Sequence, residues 1–265
     1  VEGLLIDSYI TSKNYEGALS LLEKNKSTHR DALQKVSFHR GLELYSDGDY
    51  NVALNLFTQS INNPVDATYK ARALFWKGES EYTLDLFIDA QLSLKQYLQT
   101  EEAKRTPEYA NAYYHLGYAY FKQKEYALAG DALDQFIQGN PKDKARLNDA
   151  YLRLGDARFV DGKYWPEMEA YNKAIEMKGV DADYAAYQKG ISYGFVNRND
   201  RKIEDLNLFL KNFTKSQYRD DALFELGNTY VAVNQNTEAL KTYDQLVREF
   251  PTSTYAAKAI LRQGM

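Results

Sequence analysis

Residues 115–141 read HLGYAYFKQKEYALAGDALDQFIQGNP, and residues 225–251 read ELGNTYVAVNQNTEALKTYDQLVREFP. Without a gap, Gly117 aligns with Gly227, Tyr120 with Tyr230, Ala129 with Ala239, Leu133 with Tyr243 and Pro141 with Pro251. Working outward, the same glycine context recurs at Gly41, Gly78, Gly155, Gly190 and Gly264, so the seven glycines stand 37, 39, 38, 35, 37 and 37 residues apart. An aromatic often follows three or four residues later (Tyr45, Tyr82, Tyr120, Tyr193, Tyr230). Twelve residues after the glycine comes a small side chain at Ala53, Ala90, Ala129 and Ala239, and four further on a bulky one at Phe57, Leu94, Leu133, Tyr171, Leu206 and Tyr243. Self-similarity at such a period marks a stacked repeat architecture.

The spacing has a mechanical reading. Apolar positions three and four apart make two amphipathic helices per unit, which predicts about fifteen helices and no sheet. Gly and Ala fall where the two helices cross, so Ala129→Leu is expected to overpack the crossing. Turn formers separate the helices: Asp47-Gly48-Asp49, Asp161-Gly162-Lys163 and Asn197-Arg198-Asn199-Asp200. Pro64, Pro141 and Pro251 cannot continue a helix and close their units. One hairpin cannot bury its apolar face alone, so neighbours must stack.

Composition agrees and excludes. The chain has 265 residues, 44% of them hydrophobic, with a formal net charge of −4, which argues against disorder and against a default affinity for nucleic acid. Cysteine is absent, which removes disulfides, thiolate metal sites and thiol catalysis. No apolar run is long enough to span a membrane. Tyrosine, at 23 residues, is unusually abundant.

The pattern of small residue, aromatic, Ala, bulky residue and Pro resembles the tetratricopeptide repeat, and does so along the whole chain. The resemblance implies an all-α, right-handed superhelical solenoid of antiparallel helix pairs. With the glycine at repeat position 8, a partial repeat covers residues 1–33. Full repeats run near 34–70, 71–109, 110–147, 148–182, 183–219 and 220–256, with a truncated one at 257–265. Glu167 and Lys202 depart from the small residue of position 20, so their hairpins are expected to be splayed or looser, and Arg158 replaces an aromatic. The stretch Thr100–Pro107 reads as an insert. Residues 222–259 are similar to repeats of bacterial periplasmic and outer-membrane assembly proteins, so the periplasm or outer membrane is expected rather than the cytoplasm.

In that family the first helices line a concave face through positions 2, 5, 6, 9 and 12. Here the face would carry Phe38, His39, Leu42, Tyr45, Arg72, Phe75, Trp76, Glu79, Tyr82, Tyr114, His115, Tyr118 and Phe121. The resemblance implies a non-enzymatic scaffold that binds a protein or peptide in this groove, with no cofactor and no metal. The aromatics of positions 5 and 12 either line the groove or pack against the next repeat. Lys35, His39, Arg72 and His115 would make the early part basic, and Asp149, Asp156, Asp221 and Glu225 the later part acidic. A glycan-binding scaffold of the cell envelope is the alternative, since sugars stack on Trp and Tyr. The Lys-and-Asn clamp that holds chaperone tails is missing.

Catalytic motifs are lacking: there is no phosphate-binding glycine loop and no nucleophile elbow. Asp149, Arg153 and Asp156 share a helix face, an arrangement more typical of a salt bridge. Asn25-Lys26-Ser27 and Asn212-Phe213-Thr214 match the glycosylation sequon. Neither end carries a polar capping helix, so the natural polypeptide is expected to continue in both directions. Ala256, Ala259, Ile260 and Leu261 are expected to face nothing within the chain, and self-association through the terminal repeats would cover them.

Overall fold

The computed structural model describes residues 2–24 and 28–264. The first sequon, Val1 and Met265 lie outside the described residues. Among the described residues there are fifteen α-helices and no strand. They are α1 (Glu2–Thr11), α2 (Tyr15–Leu22), α3 (Arg30–Ser46), α4 (Tyr50–Asn62), α5 (Ala67–Thr83), α6 (Phe87–Gln99), α7 (Tyr109–Lys122) and α8 (Tyr126–Gln138) in a first compact unit, residues 1–141. A second unit, residues 142–265, holds α9 (Lys144–Val160), α10 (Tyr164–Met177), α11 (Ala182–Phe195), α12 (Asn199–Asn212), α13 (Arg219–Ala232), α14 (Asn236–Glu249) and α15 (Thr254–Gln263). Each unit is a stack of helical hairpins.

Every hairpin turns the same way. The residue at repeat position 15 has a positive φ: Gly48 (86°), Asp85 (61°), Lys124 (63°), Gly162 (72°), Asn197 (56°) and Asn234 (59°), with Lys13 (57°) doing the same between α1 and α2. The next amide then donates to a carbonyl five residues back, as in Asp49 to Leu44 (2.8 Å), Glu125 to Tyr120 (3.0 Å) and Gln235 to Tyr230 (2.8 Å). This is a Schellman closure, and it satisfies a carbonyl that the helix end leaves unpaired.

Position 8 needs glycine because the second helix passes so close. A Cβ on Gly155 or Gly227 would lie 2.4 Å from Tyr171 or Tyr243, and one on Gly117 would lie 2.9 Å from Leu133. The hairpins of Glu167 and Lys202 are not splayed, contrary to the sequence expectation. Gly155 is as tightly covered as Gly227, and a Cβ on Gly190 would sit 3.0 Å from Leu206. The long side chains avoid the crossing by running on to the following repeat, Glu167 to Ser192 of α11 (2.7 Å) and Lys202 to Glu225 of α13 (2.7 Å).

Stacking completes each core, since no hairpin closes its own. Phe38, Ala53 and Phe57 of one hairpin pack with Ala73 of the next, and Leu152, Tyr171 and Ala174 pack with Ala185. The loops between repeats are tied by the polar residue at position 1. Gln34 donates to the Asp66 carbonyl (2.8 Å) and accepts from the Val65 and Asp66 amides, Asn148 reaches the Val180 carbonyl, and Ser216 and Ser253 donate to Asp183 and Asp220 (2.6 Å each).

The insert at Thr100–Pro107 is ordered. It forms a 3-10 turn, Ala103–Arg105, around Tyr97, whose hydroxyl lies 3.2 Å from the Ala103 carbonyl and 2.5 Å from Thr106 Oγ1. Burial pushes the Tyr97 phenol up to about 12. At α15, Ala256 and Ala259 are buried, Ala259 against Leu223, Tyr243 and Leu246, which corrects the expectation that they face nothing; Ile260 and Leu261 are exposed.

Candidate functional site

In the first unit, α3, α5 and α7 lie side by side and bring together the residues that the repeat pattern assigns to one face. The two readings of the aromatic stripe divide by position. At position 5, packing prevails: Phe38 and Phe75 are buried, so they belong to the core and not to a binding surface, while Tyr114 is half-buried against Phe136. At position 12, Tyr45, Tyr82 and Phe121 are half-buried.

Each position-12 ring has a definite seat. Tyr45, Tyr82 and Phe121 stand edge-on to the ring five residues later, Tyr50, Phe87 and Tyr126, with centroids 5.1, 5.4 and 5.3 Å apart. Phe159 and Tyr164 repeat this in the second unit at 5.9 Å. The same rings reach the following repeat: Tyr45 meets Trp76 at position 6 (5.1 Å), Tyr82 meets Tyr118 at position 9 (6.5 Å), and Phe159 meets Phe195 at position 13 (5.4 Å). Edge-to-face contacts of this kind fix ring orientation and add stability beyond burial. The partner ring at position 17 is the feature that sequence reading missed, although its signal, an aromatic five residues after the stripe, is present in four repeats.

The charges of this face are paired off, which alters the expected electrostatics. Arg72 donates to Glu108 (2.9 Å), as does the Trp76 indole (3.0 Å), and the guanidinium lies over the Phe38 ring at 4.8 Å. His115 Nδ1 is 2.8 Å from Glu79 Oε1, and Glu79 is buried. Lys35 pairs with Asp31. His39 stacks on Tyr15 at 4.9 Å and lies 3.2 Å from the Tyr69 hydroxyl; burial, then the nearby Arg72, lower its pKa. Arg72, Lys35 and His115 therefore each stand beside an acidic side chain. Glu108 follows directly on the insert, just before α7, so the counter-charge for Arg72 comes from where the chain enters α7. Leu42 is half-buried in the Phe38 cluster.

In the second unit, Asp156 is a structural hub. Tyr171 and Tyr184 each donate to its Oδ1 at 2.8 Å, and Arg153 bridges its Oδ2 and Asp149. Burial, then the Asp156 charge, hold both phenols well above their ordinary value. These bonds occupy both oxygens of the Asp156 carboxylate. Among the described residues no group of three His, Asp or Glu could hold a metal, and no helix is long and apolar enough to cross a membrane.

Residues 89–144 and 221–253 each match a family model described as the tetratricopeptide repeat. No curated protein matches the chain in sequence. Among solved structures, the chain is similar to MamA protein at 24% identity, covering 68% of this chain and 91% of that one, with a TM-score of 0.56. It is similar to the C-terminal part of a TPR repeat-containing protein from Cytophaga hutchinsonii at 14% identity, over 96% and 98% of the two chains, with a TM-score of 0.64. A third similarity is to YrrB, a TPR protein with an unusual peptide-binding site, at 19% identity, over 77% and 96%, with a TM-score of 0.57. These likenesses show the fold, and the two matched stretches carry the repeat itself.

Proposed function

We propose that this chain is a protein-interaction scaffold that holds a partner polypeptide against the α3–α5–α7 face of its first unit. The observation that carries the reading is the row of half-exposed rings Tyr45, Trp76, Tyr82 and Tyr118, locked in edge-on contacts beside charges that are already paired. Rings held in advance lose little freedom on binding, and aromatic side chains dominate binding hot spots. Internally paired charges select by shape and hydrogen bonding and not by net charge. The peptide-binding site named for YrrB supports the reading by analogy. A place in the bacterial cell envelope rests on the resemblance of residues 222–259 alone.

Selection from a random peptide display library tests this. Enriched peptides should lose at least about tenfold in affinity to Tyr82→Ala and to Tyr118→Ala, the loss expected of a hot-spot ring. Their binding should change little with salt, since few unpaired charges take part. Peptides that bind both variants as well as the parent chain, or only acidic peptides released by salt, would overturn the assignment.

A further inference from the structure

The hairpin of α11 and α12 breaks the aromatic pattern at two places at once. Position 12 is Gly194 and position 17 is Asn199, so both rings of the edge-on pair are absent from this repeat. A pocket of about 310 Å³ opens at that place. Its far wall carries Glu225, Asn228 and Ala232 of α13, which occupy positions 6, 9 and 13 of the following repeat. Those are the three positions that receive the stripe ring elsewhere, at Trp76, Tyr118 and Phe195. The pocket therefore stands where the architecture seats a ring.

Its chemistry is mixed. The atoms nearest to a Cβ on Gly194 would be those of the Lys202 side chain, Cδ at 3.4 Å and Nζ at 3.5 Å, so the aliphatic stem of Lys202 floors the pocket. The Lys202 ammonium is already committed to Glu225 at 2.7 Å, and Asn228 Oδ1 accepts from the Tyr243 hydroxyl at 2.8 Å. Phe195 lines the pocket with a ring that is 53% exposed and stacks on Tyr164 at 5.0 Å. Asn199 adds a polar edge, while Thr229 lines the pocket as a buried residue whose hydroxyl donates to the Glu225 carbonyl at 2.6 Å.

We propose that this pocket takes one tyrosine side chain from a bound polypeptide, which supplies in trans the ring that Gly194 lacks. The volume lies at the small end of ligand pockets, which suits one side chain better than a larger molecule. An apolar floor with an exposed ring beside it favours an aromatic face. The polar edge favours a hydroxyl on the ring, because a phenylalanine would set hydrocarbon against the Asn199 and Asn228 side-chain amides. A charged side chain would have to open the Lys202–Glu225 pair. The inference rests on the reading of the chain as a polypeptide binder but assigns a separate site in the second unit.

N-acetyl-tyrosinamide is a suitable probe, titrated into the full chain with backbone amides followed by NMR. A ligand of this size in one shallow site should bind with a Kd of about a millimolar. Saturable shifts are expected at Gly194, Asn199, Asn228 and Ala232, and N-acetyl-alaninamide should produce none. Gly194→Tyr fills the pocket and should weaken the probe at least about tenfold, while Gly194→Ala, which adds one carbon, should keep binding within about threefold. Shifts that survive Gly194→Tyr, or no saturable shift at these amides with the parent chain folded, would overturn the proposal. The probe contains no partner sequence, so its failure leaves the first-unit face untouched, and failure of the Tyr82 and Tyr118 variants leaves this pocket untouched.

Discussion

Position 20 of the repeat is occupied by alanine throughout the full hairpins of the first unit, at Ala53, Ala90 and Ala129, all with no exposed surface. In the second unit the same position holds Glu167, Lys202 and Ala239. Both solutions close the hairpin equally well. The difference lies in what happens beyond the crossing. Alanine ends there, and the next repeat packs on through apolar contacts. Glu167 and Lys202 continue past it and hydrogen-bond the next repeat, at Ser192 and Glu225. Each has a small companion: Ser192 meets the acid, and Gly194 makes room for the lysine stem. The lesson is that a repeat position prescribes backbone spacing, and side-chain length is free if the following repeat yields to it.

The two tryptophans, Trp76 and Trp165, fall one in each unit, so replacing either by Phe leaves a fluorescence probe for the other. The strongest way to break the comparison is to move the acid across. In the first unit, the residue corresponding to Ser192 is the buried Ala119. Ala90→Glu should therefore cost about 3–5 kcal/mol at neutral pH, because the acid must either stay charged in the core or take up a proton and leave its hydroxyl unpaired. Urea unfolding read by Trp76 would measure it, and a cost below about 1 kcal/mol would mean that any repeat accepts the acid.

Next in size is a pH effect confined to the second unit. Burial raises the Glu167 carboxyl from 4.5 to about 8, with the Ser192 hydrogen bond opposing. Between those values the folded chain holds a proton that the unfolded chain has released, so stability falls as pH rises through this window and levels off above it. The loss is at most about 5 kcal/mol, from 1.36 kcal/mol per pH unit across this window. Unfolding read by Trp165 should show this slope in the parent chain, and Glu167→Gln should flatten it. An unchanged slope in the variant would assign the effect to another group.

Two smaller effects sharpen the contrast. Ala129→Leu should cost about 1–3 kcal/mol by overpacking, whereas Lys202→Leu should cost less than about 1, because Gly194 already leaves room for a long side chain. Equal losses in denaturant melts would show that the repeat alignment is misplaced. The smallest concerns the turns. Lys124 adopts a positive φ that glycine adopts without strain, so Lys124→Gly should stabilise by about 0.5–1 kcal/mol, and Gly48→Ala should cost a similar amount or more. Opposite signs would contradict the turn geometry.

Much of this fold was legible because periodicity is a global signal. Gly41 to Gly227 and Ala53 to Ala239 mark the crossings by spacing alone, and Pro64, Pro141 and Pro251 mark the ends. The site was less legible because its meaning depends on partners distant in sequence. Arg72 reads as a free cation until Glu108 is seen beside it, 36 residues away. Phe38 and Tyr45 lie two turns apart on one helix face, yet the first is core and the second half-exposed. Some pairings were within reach: where position 24 is Tyr171 or Tyr243, position 9 is Asp156 or Asn228, an acceptor for the hydroxyl fifteen residues on. The position-1 tethers, Gln34, Asn148, Asp183 and Asp220, share a register but not a residue type, and each depends on a loop about 30 residues away.

The turn shared by all the hairpins has a mechanical consequence. Its closing bond spans only five residues, so each hairpin is knitted by neighbours along the chain and contacts little beyond the next one. Pulled from its ends, such a molecule has no single clasp whose rupture frees the whole. It should give way hairpin by hairpin, each step releasing about 37 residues and roughly 130 Å of contour length. Steps that begin at the hairpins of Glu167 and Lys202 at pH 8, and elsewhere at pH 5, would show that the buried acid sets where the chain first yields.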